Sequence, residues 1–200
     1  EAERDRLADA EFARLVAAGR IEFALRADAL DYELPDGAMV ELTEAMAPLT
    51  RDGLLPIEKS LLEPALRTPD MNNFEAAFAG YLDGKAALCW WHRNVAKAHY
   101  GLQGWKRNKV YPDFVFAYVT EGAATRTVVL ETKGLHLKGS EDTDYKRRLL
   151  ERLTTMYRDE RLARAGELAL VAGESSDMVC DLLFDQASWP NTMEQRFFRG

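Results

Sequence analysis

Cysteine and histidine are scarce in this chain: its 200 residues include two Cys and three His. Cys89 and Cys180 each sit inside an apolar run and are far apart, so they make neither a disulfide framework nor a metal site. They read as buried free thiols in a reducing, cytoplasmic compartment. His92, His99 and His136 lack the spacing of a metal-binding pair and read as polar loop or surface residues. No Ser-His-Asp or Cys-His grouping is evident, because neither cysteine has polar neighbours that would activate it. Gly80-X3-Gly84-Lys85 is one residue short of a phosphate-loop spacing and precedes neither Ser nor Thr, which excludes an ATP site of that kind. No apolar run approaches the roughly eighteen residues a membrane span needs, so no membrane partner is expected. No signal-peptide pattern, internal repeat or low-complexity tract is present. The chain begins Glu-Ala-Glu-Arg without Met, so it is expected to be a piece of something longer.

What is there begins with charge. The net charge of −7 hides a split. Residues 1–84 hold eight Lys/Arg against eighteen Asp/Glu, a balance of −10, which leaves +3 for residues 85–200. From Lys85 to Pro112 the chain carries Lys85, Arg93, Lys97, Lys106, Arg107 and Lys109 with no acid between them. Trp90, Trp91, His92, His99, Tyr100 and Trp105 are interleaved. Clustered cations with aromatics suit a phosphate-tracking surface. A solvated loop beside a tryptophan-anchored core strand is the other reading of the same stretch.

Length suits one domain, or one domain with an appended segment. Glu3 to Ala18 reads as a helix ended by Gly19. Residues 21–34 alternate apolar and charged residues as one or two half-exposed strands, Asp36-Gly37 turns, and Met39 to Leu42 returns. Pro48 to Pro56 is loop-like. Ile57 to Leu66 looks helical, with Pro64 kinking or ending it. From an N-cap at Asn72 or Asn73, Phe74, Ala77, Phe78, Tyr81 and Leu82 recur at helical spacing until Gly84. Ala86–Trp91, Phe114–Val119 and Val128–Thr132 read as strands. A helix follows, capped by Asp142 or Asp144, with Tyr145, Leu149 and Leu153 on one side and Lys146, Arg147, Arg148 and Arg152 on the other. Leu168–Ala172 and Met178–Phe184 read as two further strands. The order predicts an α/β fold, a mixed central sheet with helices on both faces, preceded by an N-terminal α+β extension.

Asp113 opens one apolar strand and Glu131 closes another, with Lys133 two residues on. Residues two apart on a strand share a face. Two carboxylates and one ammonium on neighbouring strands can therefore meet where a divalent cation could be held and a water activated.

Trp90-Trp91-His92-Arg93-Asn94, Gly104-Trp105, Tyr111-Pro112-Asp113-Phe114, Glu131-Thr132-Lys133-Gly134 and Asp142-Thr143-Asp144-Tyr145-Lys146 together resemble the PD-(D/E)XK nucleases. More narrowly, they resemble the C-terminal endonuclease domain of type III restriction-enzyme Res subunits and related helicase–nuclease proteins. The resemblance covers roughly residues 57 to 185. It implies an endonuclease domain over 57–200 with a restriction-endonuclease-like core, and it leaves 1–56 as an acidic linker or subdomain. It implies Asp113, Glu131 and Lys133 as catalytic residues, with Asp113, Glu131 and, further out, Glu75 as metal ligands. Hard oxygen donors suit Mg²⁺, with Mn²⁺ as a substitute. The Lys133 ammonium, close to two carboxylates, stays protonated at rest, so it positions water rather than acting as a base. Glu75 has an equally good second explanation, a helix carboxylate favoured by the dipole; for Lys146, which the resemblance links to a phosphate or the active site, the second explanation is a solvated helix residue. Arg93, Lys97, Lys106, Arg107, Lys109 and Lys146 are the expected contacts to double-stranded DNA. The implied partners are a motor domain elsewhere in the protein and a methyltransferase subunit of the Mod type. Two alternatives stand beside this: a non-catalytic DNA-docking module of a helicase, and a repair or recombination nuclease acting on branched or single-stranded DNA.

Overall fold

The computed structural model describes residues 2–18, 20, 46–97, 101–122, 125–157 and 177–199. The strands expected at 21–34, 39–42 and 168–172 lie outside the described residues, as does His99.

Helix α1 spans Ala2–Ala17, with acids in its first turn and Arg14 in its last, the arrangement that suits the helix dipole. Residues 47–67 hold two small antiparallel pairs. β1 (Ala47–Pro48) joins β4 (Leu66–Arg67), and β2 (Thr50–Arg51) joins β3 (Leu55–Pro56). The expected helix over 57–66 does not form. Its backbone groups find partners elsewhere: the Glu58 and Lys59 amides donate to the Asp83 carboxylate, and the Leu61 amide donates to the Trp91 carbonyl at 2.9 Å. A cis bond at Glu63-Pro64 lies in the same stretch.

Helix α2 (Asn73–Asp83) begins where expected. The Asn72 side chain accepts from the Glu75 amide and donates to the Glu75 carboxylate, each at 2.9 Å, a reciprocal cap on the first turn. Strands β5 (Leu88–Arg93), β6 (Phe114–Val119) and β7 (Thr125–Gly134) follow, β6 running antiparallel to both of its neighbours, and β8 (Asp177–Asp185) adds parallel to β7. The sheet order β5-β6-β7-β8 is mixed, and helix α3 (Glu141–Tyr157) makes the crossover between the two parallel strands. The cap of α3 is Ser140, whose Oγ accepts from the Thr143 amide at 3.2 Å; Asp142 and Asp144 lie inside the first turn instead.

Both faces of the sheet are covered, which bears out the α/β expectation. Residues 114–118 of β6 are all buried, as a central strand requires. On one face Phe78, Leu82, Phe114, Phe116, Val128 and Leu130 pack together under α2. A short helix α4 (Trp189–Met193) and the π-helical turn Glu194–Phe198 close that side, burying Met193 and Phe197. Neither was read from the pattern. On the other face Val115, Val129, Tyr145, Leu149, Leu153 and Phe12 form the second core, so α1 and α3 share a side. Packing runs across the boundary expected at residue 56, since Phe12 and Leu49 are core residues. Cys180 is buried, and burial pushes its thiol up to about 12. Cys89 corrects an expectation: it is exposed, because the β5–β6 register shifts between Leu88 and Trp90 and leaves it in the bulge.

Candidate active site

The pairing of Phe114 with Leu130 brings the start of β6 beside the end of β7. Asp113, the residue before β6, is held there from both sides. Its carbonyl accepts the Asn94 amide at 2.8 Å, and the buried Asn94 side chain donates to the Pro112 carbonyl at 2.8 Å. Its Oδ2 accepts from the Thr132 amide at 2.7 Å and the Thr132 hydroxyl at 2.6 Å. Asp113 is thus turned toward the end of β7, leaving Oδ1 as its other acceptor.

Glu131 is 1 % exposed. Its Oε1 accepts from two ammoniums, Lys133 Nζ and Lys146 Nζ, each at 2.8 Å. The first follows from strand alternation, because residues 131 and 133 share a face. The second arrives from the first turns of α3, where Lys146 also lies 3.5 Å from Asp142. Glu131 Oε2 is buried with no hydrogen-bond partner among the described residues. A buried carboxylate oxygen without a partner is costly, on the order of 1–3 kcal/mol. Burial pushes the Glu131 carboxyl above its ordinary value and the nearby Asp113 charge pushes it further, while Lys146 and Lys133 pull it back. Burial works against the charge on Lys146, yet Glu131 and Asp142 hold its ammonium above the usual lysine range.

Glu75 is also buried, and burial and the Asp113 charge both raise its carboxyl while Arg93 opposes them. Asp113 therefore sits electrostatically between Glu75 and Glu131. Both Glu75 oxygens are already engaged, Oε1 by Asn72 and Oε2 by Arg93 Nε at 3.0 Å. Arg93 also pairs with Asp70 at 3.0 Å, so this cation faces acids on its own chain.

Hard-cation chemistry fits these donors in part. Among the described residues, no three His, Cys, Asp or Glu side chains form a ready metal cage. Mg²⁺ does not need one: it usually takes one or two carboxylates and keeps several waters. Asp113 and the idle Oε2 of Glu131 are a set of that size.

The other expected contacts are scattered. Lys97 is exposed in left-handed backbone at φ 66° beside the end of β5. Lys106, Arg107 and Lys109 line a cleft of about 750 Å³ together with Lys146. Trp91 is a core residue whose Nε1 donates to Asp83 at 3.0 Å, and Trp105 donates to Asp5 at 3.1 Å. His136 is exposed and His92 buried. Thr132 and Asn94, which position Asp113, were not singled out by sequence as functional residues; a polar residue between Glu131 and Lys133 is the only trace of the former.

No helix among the described residues is long and apolar enough to cross a membrane. Comparison of the chain with protein-family models, with curated proteins and with solved structures finds no match.

Proposed function

We propose that this chain contains a Mg²⁺-dependent DNA endonuclease domain of the PD-(D/E)XK type, with Asp113, Glu131 and Lys133 as its hydrolytic centre. The observation that carries the proposal is the half-satisfied Glu131. It is buried, close enough to Asp113 to feel its charge, 2.8 Å from the Lys133 ammonium, and left with an acceptor oxygen that no described residue uses. The order α2-β5-β6-β7-α3-β8, with its antiparallel strands followed by one parallel strand, supports a restriction-endonuclease-like core. By the same resemblance the domain serves double-stranded DNA beside an ATP-driven motor elsewhere in the protein, in a type III restriction-type system with a methyltransferase subunit.

Asp113 Oδ1 and Glu131 Oε2 would hold the ion. A bound Mg²⁺ supplies an acidified water and draws charge from the phosphate oxygens. The chain's own groups do the rest. Thr132 and Asn94 hold Asp113 toward β7, so the carboxylate pair is preorganised. Lys146, on Glu131 Oε1, opposes the rise that burial imposes on that carboxyl. Lys133 is an ammonium with three donors, and in that place it orients the attacking water and meets charge growing on the phosphate.

Incubation of the protein with plasmid DNA and Mg²⁺, beside Asp113→Ala and Lys133→Ala, tests this. The expected result is metal-dependent nicking by the wild type and its loss in both variants. Equal cutting by the variants, or no cutting by the wild type even when fused to a motor, overturns it. Binding of the plasmid without cutting in that assay would favour a non-catalytic DNA-docking module.

A further inference from the structure

The basic residues that the sequence clusters between Lys85 and Pro112 do not form a flat patch. Residues 105–110 make one wall of the 750 Å³ cleft, the start of α3 makes a second, and α1 makes a third with Arg4 and Arg6. Residues ahead of position 20 thus complete a surface begun a hundred residues later. The lining acids are Asp5, Glu141, Asp142 and Asp144. Three of them are already answered by cations: Asp5 by Arg148 at 2.7 Å, Asp142 by Lys146 at 3.5 Å and Asp144 by Arg147 at 3.6 Å. Arg4, Arg107 and Lys109 have no ion pair with any described residue. The cleft therefore has cationic capacity left after its internal pairs are made.

Lys146 belongs to both places, lining the cleft and touching Glu131. A polyanion laid in the cleft would be led to the carboxylate pair. The cleft has no free aromatic platform. Trp105 packs against Phe12 and edge-on to Tyr145, with the Arg148 guanidinium over its ring. Contacts there would be to phosphate, without base readout. The size matters as well. At about 750 Å³, within the roughly 300–1,000 Å³ of small-ligand pockets, the cleft suits one backbone between its walls better than a whole duplex.

We propose that the cleft between α1, residues 105–110 and the start of α3 binds the phosphate backbone of a single nucleic-acid strand and leads it to Glu131. The proposal rests on the nuclease assignment for where the strand is led, departs from the double-stranded substrate that the resemblance implies, and has its binding step tested apart from hydrolysis. The full chain is titrated into a fluorescein-labelled short oligothymidylate without divalent cation, and anisotropy is followed at several salt concentrations. The double variant Arg4→Glu/Lys109→Glu is expected to bind about tenfold or more weakly, with a salt slope shallower by about 0.7 for each phosphate it no longer neutralises. Arg107→Glu alone is expected to show a smaller loss in the same direction. These side chains have no ion pairs with described residues to break, and an unchanged thermal melt verifies the fold. A labelled duplex of equal length should bind more weakly and respond less to the double variant. The proposal is overturned if the double variant binds oligothymidylate within twofold of wild type. It is also overturned if the duplex binds as tightly with the same sensitivity, or if polyglutamate displaces the strand at equal charge, which would mark an acidic-peptide site. Normal strand binding without Mg²⁺-dependent cutting would sink the nuclease assignment alone. Cutting with an unimpaired double variant would sink the cleft alone.

Discussion

Asp83 and Glu131 are both carboxylates removed from water, on opposite sides of the sheet, and their surroundings differ. Asp83 ends α2 with no exposure at all. Its oxygens accept the Trp91 indole at 3.0 Å, the Lys59 amide at 2.8 Å and the Glu58 amide at 3.1 Å, with Arg51 Nε 3.5 Å away. Three of these donors are rigid, so Asp83 ties residues 58–59 and β5 to α2. Glu131 has two flexible lysine stems on one oxygen and, among the described residues, nothing on the other. Burial costs both groups solvation. One site offsets that cost with fixed donors and is structural. The other leaves it half offset, and such places are where function is expected.

Two substitutions break the comparison if it is wrong. Asp83→Ala removes one partner of a buried network, so it should cost about 3–5 kcal/mol. At roughly 2–4 °C per kcal/mol for a chain of this size, the melting temperature should fall by about 10 °C. A fall of only a degree or two by calorimetry would mean the donors find other acceptors and Asp83 is dispensable. Glu131→Gln should cost less. It keeps the shape and removes a buried carboxylate, but it leaves the Lys133 and Lys146 ammoniums close together without their shared partner, so the melting temperature should fall by only a few degrees. Plasmid nicking with Mg²⁺ should fall about 10²- to 10³-fold, the scale for losing one preorganised electrostatic group. A large loss of stability with nicking intact would put Glu131 in the same class as Asp83.

The same contrast explains what could be read from sequence. The run Phe114–Val119 and the stripe Tyr145, Leu149, Leu153 are local patterns, and the fold buries them as local periodicity demands. Glu131 and Lys133 are two apart on a strand, so their meeting was also legible. Residues 57–66 were not, because Ile57, Leu61 and Leu62 mimic a helical face while their neighbours' amides serve Asp83. That competing partner lies 24 residues and more away in sequence. Ser140 outcompetes Asp142 as a cap for a similar reason: it precedes the helix by one residue and its hydroxyl reaches Thr143. Arg93, expected as a DNA contact, instead pairs with Glu75 in the first turn of α2 and with Asp70 just ahead of it, neighbours that only the tertiary approach to β5 supplies. The burial of Met193 and Phe197 depends on a long-range return to β6, although their four-residue spacing is visible. Within the site, what could not be read is the hold of Thr132 on Asp113 and the idle Glu131 oxygen. Both depend on register between two strands, which no local pattern encodes.

Asp5 sharpens the comparison from a third position, a carboxylate well partnered but near the surface. It accepts from Trp105 Nε1 at 3.1 Å and Arg148 at 2.7 Å, with Lys106 at 3.9 Å, and so docks α1 on the basic side. Burial pushes its carboxyl up, but Arg148 and Trp105, with Lys106, carry the balance below the ordinary value of 3.8. A lowered value in the folded state means the unfolded chain takes up the proton first. The contribution is therefore present above pH 3.8 and lost as pH falls below it through the lowered value. Exposure and salt screening limit it to about 1 kcal/mol. Urea denaturation of wild type and Asp5→Asn should show a small, constant gap at neutral pH that closes on acidification below pH 3.8 and narrows in high salt. A gap that persists in acid would mean that α1 is held by shape and by the Phe12–Trp105 contact rather than by charge, and Asp5 would then be neither like Asp83 nor like Glu131.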